Sequence, residues 1–302
     1  AYNYLVIDEA HHLEAATTDA MSYRLRAQDV NRLVRDLGSP EQGLMGRLLA
    51  VANPLLKPSD LAELNELISQ AADRAFRFDN EMTAYFRAMD NLLLELRDGK
   101  SPGTYPQQTR ILSAIRTMPA WLDVEIAWEQ AAADLDALLK LLRQIREGFR
   151  GLESTDSEDA EDLLGTLAMF NLTEIREKVE SLTMDPQSDR IHWVELDPLQ
   201  NRLTLQIAPL HIGGLMEKYL WHEKASVILT SATLTTHGEF DYLRRRLNGE
   251  DADELTVGSP FDYEHAALVY LPTDIVEPND SYGHQRTIDE AVTRLAVAIG
   301  GR

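Results

Sequence analysis

Two short runs carry the side chains best suited to chemistry. Asp8-Glu9-Ala10-His11 follows the apolar stretch Tyr4-Leu5-Val6-Ile7, and Thr230-Ser231-Ala232-Thr233 follows Ser226-Val227-Ile228-Leu229. A short β-branched run that ends in polar residues is the pattern of a buried parallel strand reaching its carboxyl end. In parallel α/β sheets that end is where ligands bind. Two adjacent carboxylates placed there suit a nucleoside triphosphatase: Asp8 would orient Mg²⁺ through its water shell, and Glu9 would position the attacking water or take its proton. A bare Asp-Glu pair also fits a strand end capped by surface acid, but the full Asp8–His11 run behind an apolar strand favours chemistry. Hydroxyls in the second run could bridge the acidic motif to bound nucleic acid, but alone the run is a weak signal, since Ser and Thr are common strand-end and turn residues. The order of the two runs, each at a strand end, is the stronger signal.

The rest of the chain must position them. At 302 residues and 44% hydrophobic, it can build a core of one large or two ordinary domains. There is no cysteine, hence no disulfide framework and no thiolate ligand. No apolar run reaches membrane-spanning length, and a cytoplasmic protein is expected. The net charge of -21 argues against a nucleic-acid binder when taken alone. The charge is uneven, however: acid is dense in 151–165, while 23–35 and 242–247 are locally basic. From about 25 to 184 the pattern is helical. Leu61, Leu64, Ile68, Ala71, Ala75, Phe78, Met82, Tyr85, Met89, Leu92 and Leu96 alternate steps of three and four. So do Trp121, Val124, Trp128, Ala131, Leu135, Leu138, Leu142, Ile145 and Phe149. Ser59 or Asp60 is expected to cap the first helix, and Pro119 to begin the second. A third helix is expected over about 158–183, with a seam at Leu163, Leu167, Asn171, Ile175, Val179 and Leu182. Each of the two long helices should be roughly 45–55 Å long and fold back antiparallel as an elongated arm. Beyond 186, strands are expected at Arg190–Leu196 and Arg202–Leu210 around an Asp197–Asn201 turn, at 225–234, and at 265–272. A closing amphipathic helix should stop at Gly300.

Asp8-Glu9-Ala10-His11 followed by Thr230–Thr233 resembles motifs II and III of superfamily 2 helicases. The long helical stretch between them is similar to the arch domain of the XPD/DinG family of DNA helicases. The wording of 8–14, 208–221, 227–247 and 258–280 is also similar to bacterial DinG-type proteins. The resemblance implies α/β with a large all-α insertion, a partial RecA-like parallel sheet carrying an antiparallel helical arch. Residues 1–22 and 186–257 would be two parts of the first motor domain, 23–185 the arch, and 258–302 the beginning of a second motor domain. It further implies Asp8 as the Mg²⁺-associated acid acting through water, Glu9 as the catalytic carboxylate, and His11, Ser231 and Thr233 as residues coupling ATP to DNA. His12 and His192, His211, His222, His237, His265 and His284 receive structural or surface roles. ATP and Mg²⁺ would be the parent's cofactors, and DNA, mainly single-stranded, its partner; an iron–sulfur cluster could lie upstream on cysteines outside this chain. No protein partner or membrane association is implied.

The departures matter too. No G-x-x-x-x-G-K-[ST] run is present, so nothing here cradles the β and γ phosphates. The expectation is a segment that starts just ahead of motif II, stops just inside the second motor domain, and is inactive alone as an ATPase. Arg74, Arg77, Arg87, Arg97, Lys100 and Arg110 are candidate DNA contacts that nothing separates from ordinary surface cations. Two other readings stay open: an arm that serves as a protein-docking module, and a parent that is a DinG-like exonuclease.

Overall fold

The computed structural model describes residues 2–149, 162, 164–258, 260–262, 265 and 269–300. The chain divides into two units, Ala1–Ala252 and Asp253–Arg302. The first unit runs β1 (Tyr4–Ile7), α1 (Leu13–Ala20), β2 (Tyr23–Leu25), α2 (Ala27–Leu37), α3 (Gly43–Ala52), α4 (Pro58–Leu96), β3 (Gln107–Arg110) and α5 (Ser113–Arg116). It continues with α6 (Pro119–Phe149), α7 (Asn171–Thr183), β4 (Arg190–Asp197), β5 (Arg202–Pro209), α8 (Gly213–Met216), β6 (Ser226–Leu229) and α9 (Asp241–Leu247).

The heptad seams become the main core. Every residue of the α6 seam is buried, as is the α4 seam from Leu64 to Leu92, with Leu61 and Leu96 packed at its ends. Arg74 pairs with Asp134 at 2.6 Å, and the Tyr85 ring meets the Trp128 ring edge-on at 6.0 Å. Residue numbers rise along one helix as they fall along the other, so α4 and α6 are antiparallel. With 39 and 31 residues they are about 58 and 46 Å long. Pro58 opens α4 in the first helical position, and Lys57, not Ser59 or Asp60, is the cap residue. Ser59 instead donates to the Asp60 carboxylate. A proline in that position already removes one of the N–H groups that a cap would satisfy.

The third helix departs from expectation. Residues 158–161, Leu163 and the Leu167 side chain lie outside the described residues, as does most of the acidic stretch at 151–165. Leu164–Phe170 is π-helical, and α7 follows it. Leu172, not Asn171, is buried, and Ile175, Val179 and Leu182 follow it into the core as the seam indicated.

Two sheets support the two runs. β1 and β6 form a parallel pair, as expected, while β2-β5-β4-β3 form an antiparallel sheet of four strands. The β4–β5 hairpin was expected, but β2 and β3 correct the expectation that 23–185 is all helix. A lone hairpin has two open edges and is marginal in water. β2 closes the β5 edge and β3 the β4 edge, so hydrogen bonds run across residue 185. One face of this sheet, with Leu25, Leu205, Ile207, Val194 and Leu196, enters the main core.

In the second unit, α10 (Ser281–Ala298) starts behind an Asp280 side-chain cap and ends before Gly300 at φ 66. Its start is about five residues earlier than the apolar pattern indicated. The strand expected at 265–272 does not form among the described residues: 269–272 has no ladder, and Val269 and Leu271 are exposed. The described residues of this unit offer no strand to pair with, and β structure needs such a partner.

Candidate functional site

The register of the parallel pair brings the two runs together. Ile7 stands opposite Leu229, so the next residues, Asp8 and Thr230, leave their strands side by side. The ladder continues one step, with Thr230 N donating to Ile7 O at 2.8 Å and Ala10 N donating to Thr230 O at 2.9 Å. Between these bonds the chain turns sharply. Glu9 adopts the left-handed conformation at φ 52, ψ 38, which costs a non-glycine residue about 1 kcal/mol. The turn allows Ala10–His12 to coil as a single 3₁₀ turn that carries His11 back over β6.

The side chains close the corner. Thr230 Oγ1 donates to Asp8 Oδ1 at 2.6 Å, and the Glu9 amide donates to the same oxygen at 2.9 Å. These two bonds, the hydroxyl first, hold the Asp8 carboxyl below the usual carboxylate range. His11 Nδ1 lies 2.7 Å from Ser231 Oγ and 3.2 Å from Glu9 Oε2. Ser231 Oγ also faces Glu9 Oε2 at 3.5 Å, the outer limit of a useful bond. The Thr233 amide donates to Ser231 Oγ at 3.2 Å. Two proton arrangements are therefore open. With a proton on Nδ1, His11 donates to Ser231 or to Glu9; without it, the Ser231 hydroxyl donates to His11. One hydroxyl thus senses both the histidine and the second carboxylate across 220 residues of sequence.

Of the sequence candidates, Asp8, Glu9, His11 and Ser231 meet in one cluster. Thr233 joins only through its backbone. Thr230, to which the sequence reading gave no role, makes the shortest contact to Asp8; the signal was its position as the first hydroxyl beyond the strand. Asp8 Oδ1 already accepts two hydrogen bonds, and among the described residues no three His, Asp or Glu side chains gather as metal ligands. A divalent ion here would fit water-mediated contact with Asp8, its remaining ligands being phosphate and water oxygens. The chain offers no thiolate for an iron–sulfur cluster.

Several cations of the basic strips and two of the six on the arm are engaged in close internal contacts. Arg74 pairs with Asp134 and Arg77 with Asp73. Arg24 meets Asp19, Arg244 donates to Ala252 O, and Arg246 holds Glu14. His192 is a buried structural residue, its Nε2 3.0 Å from Ser181 Oγ. Burial, then Arg116 and Arg190, push its pKa down to about 4.

Against this geometry the comparisons are informative. Over 288 residues the chain is 25% identical to the protein named ATP-dependent DNA helicase DinG of Photobacterium profundum, covering 90% of the chain and 38% of that relative. Over most of its length the chain is thus similar to a protein named as a DinG helicase. It is 24% identical over 288 residues to the protein named 3'-5' exonuclease DinG of Bacillus subtilis, covering 91% of the chain and 29% of that relative. A shorter match, 30% over 143 residues, joins it to the ATP-dependent helicase DinG of Mycobacterium tuberculosis, over 43% of this chain and 21% of that one. The chain spans about 38% and 29% of the two relatives that it matches over most of its length. No protein-family model matches it.

Proposed function

We propose that the chain is the part of an ATP-dependent DNA helicase that couples nucleotide hydrolysis to a DNA-engaging arm. The observation that carries this reading is the His11–Ser231 contact at 2.7 Å, with Glu9 at 3.2 Å from the same nitrogen. It gives a carboxylate at the reaction centre a direct link to a second motif. In this reading Asp8 associates with Mg²⁺ through water and Glu9 orders the attacking water. His11 and Ser231 transmit the state of the site, and Thr233 fixes the Ser231 hydroxyl. Mg²⁺ when bound neutralises phosphate charge; Thr230 keeps Asp8 ionised and oriented toward it. Residues 1–22 and 186–257 form parts of the first motor domain, 23–185 the arch, and 258–302 the start of the second. The parent acts in the cytoplasm on single-stranded DNA and its junctions with duplex, in the 5' to 3' direction, in repair or replication.

The test is DNA-stimulated ATP hydrolysis by the full-length parent. Glu9→Gln should lower turnover by about 100-fold or more. The present chain alone should show none, because it contains no phosphate-cradling G-x-x-x-x-G-K-[ST] run. Undiminished turnover by the Glu9→Gln parent would refute the assignment. Tailed duplexes of each polarity report direction. The name of the Bacillus subtilis relative favours a second reading, a parent with nuclease activity. Degradation of a labelled strand without ATP would identify it.

A further inference from the structure

Helix α1 is placed in an unusual way. It has eight residues and follows the acidic motif directly, yet none of its residues is fully buried. A helix so short is not stable by itself, and packing normally fixes its position. Only Leu13, with the Thr17 hydroxyl on Met216 Sδ at 3.7 Å, meets an apolar cluster, the small one formed by Ile212, Met216 and Leu247 with Leu229 and Trp221. That cluster is separate from the main core of the arm. Polar contacts hold both ends of α1. At its start, Glu14 accepts from Arg246 Nε of α9 at 2.6 Å, and Arg246 also donates to His211 Nδ1 at 3.1 Å. At its end, Asp19 accepts from Arg24 on β2.

The second contact does not stop at β2. Arg24 Nε donates to Gln206 Oε1 at 3.3 Å, Gln206 Nε2 donates to Glu195 Oε2 at 3.0 Å, and Gln108 Nε2 donates to the same oxygen at 2.9 Å. One residue from each of the four strands takes part, all on the face away from the main core. The opposite face seats α7, through Ser181 on His192. A polar ladder therefore leads from the helix behind the acid pair, across the whole sheet, to the sheet on which the arm is mounted.

We propose that α1 is a two-ended positioning strut. Arg246 with Glu14 ties it to the element that follows the hydroxyl motif, and Arg24 with Asp19, through Gln206 and Glu195, ties it to the base of the arm. Displacement of the arm's mount is thereby felt at the Asp8–Glu9 corner. The purpose of the strut rests on the reading of Asp8 and Glu9 as the reaction centre. An exposed ion pair alone contributes little to stability. Coupling between two ends is a different quantity, and it must be reciprocal.

Hydrogen exchange on this chain tests it without any ATP turnover, so its result is independent of the helicase assay. Arg24→Met should speed exchange of the Ala10 and Thr230 amides, which Arg24 does not touch, by about five-fold. Arg246→Met should speed exchange of the Ile111 amide, bonded to His192 O across β3 and β4, by a similar factor. Arg24→Lys should restore much of the protection. Arg77→Met, which breaks an ion pair on the arm itself, should change neither end. If either methionine variant proves poorly folded, Asp19→Asn and Glu14→Gln replace them. Changes confined to each substituted end, with no effect at the other, would overturn the proposal.

Discussion

His192 makes the stability of the first unit depend on pH in a calculable way. It is 5% exposed, on the core face of β4, and its Nε2 is 3.0 Å from Ser181 Oγ. Burial, Arg116 and Arg190 lower its pKa from 6.5 to about 4, with Asp189 acting weakly in the other direction. The native state therefore keeps the ring neutral where the unfolded chain takes up a proton. Above the unfolded value both states are neutral and there is no penalty. As the pH falls through 6.5 toward 4 the unfolded chain binds the extra proton, and stability is lost. The full shift corresponds to about 3 kcal/mol, of which about 2 kcal/mol falls between about pH 7.5 and pH 5. Urea unfolding, followed by the fluorescence of Trp121 and Trp128, would measure it. Because carboxylates also begin to titrate, the decisive quantity is the difference between the wild-type chain and His192→Gln, which retains polar contact with Ser181 but cannot titrate. The wild type should lose about 2 kcal/mol more than the variant over that interval. Equal losses would show that His192 is solvated, and the reasoning would fail.

Other outcomes follow from specific contacts. The fully buried Tyr85 hydroxyl lies 2.9 Å from Thr183 Oγ1; Tyr85→Phe and Thr183→Val should each cost about 1–2 kcal/mol, and the double variant less than their sum, by denaturant titration of all four proteins. A Cβ at Gly213 would sit 2.0 Å from Asn248 Oδ1; Gly213→Ala should destabilise by about 1–2 kcal/mol, and adding Asn248→Gly, at φ 49, should recover it. Thr230→Val should raise the Asp8 pKa back toward 3.8, and Thr230→Ser should keep it low, as read by carboxyl carbon NMR. An unmoved Asp8 would mean that the hydroxyl is not its main support.

The long helices were legible because a seam of three and four residue steps has only one structural solution over such lengths. Both motifs were legible for the opposite reason: very few residues, but in an order and setting that chance rarely supplies. What escaped was non-local. β2 and β3 are three and four residues long, too short for a strand period to register, and exist because the β4–β5 hairpin offers them edges. The π turn at Leu164–Phe170 leaves no composition mark. Arg246 was visible as one of three arginines, yet its partner Glu14 lies 232 residues away. Thr230 was quoted with its motif and passed over, because its role depends on register, which sequence does not state.

The left-handed backbone at Glu9 sets a conflict between two kinds of selection. At φ 52 the residues that fit with least strain are glycine and asparagine. Either would relax the corner by roughly 1 kcal/mol and delete the second carboxylate. A library of variants sorted only for folded yield should therefore enrich Glu9→Gly and Glu9→Asn, and one sorted for turnover in the parent should purge them. Stabilising substitutions chosen from a stability ranking would draw the chain away from the chemistry proposed for Glu9 at this position first.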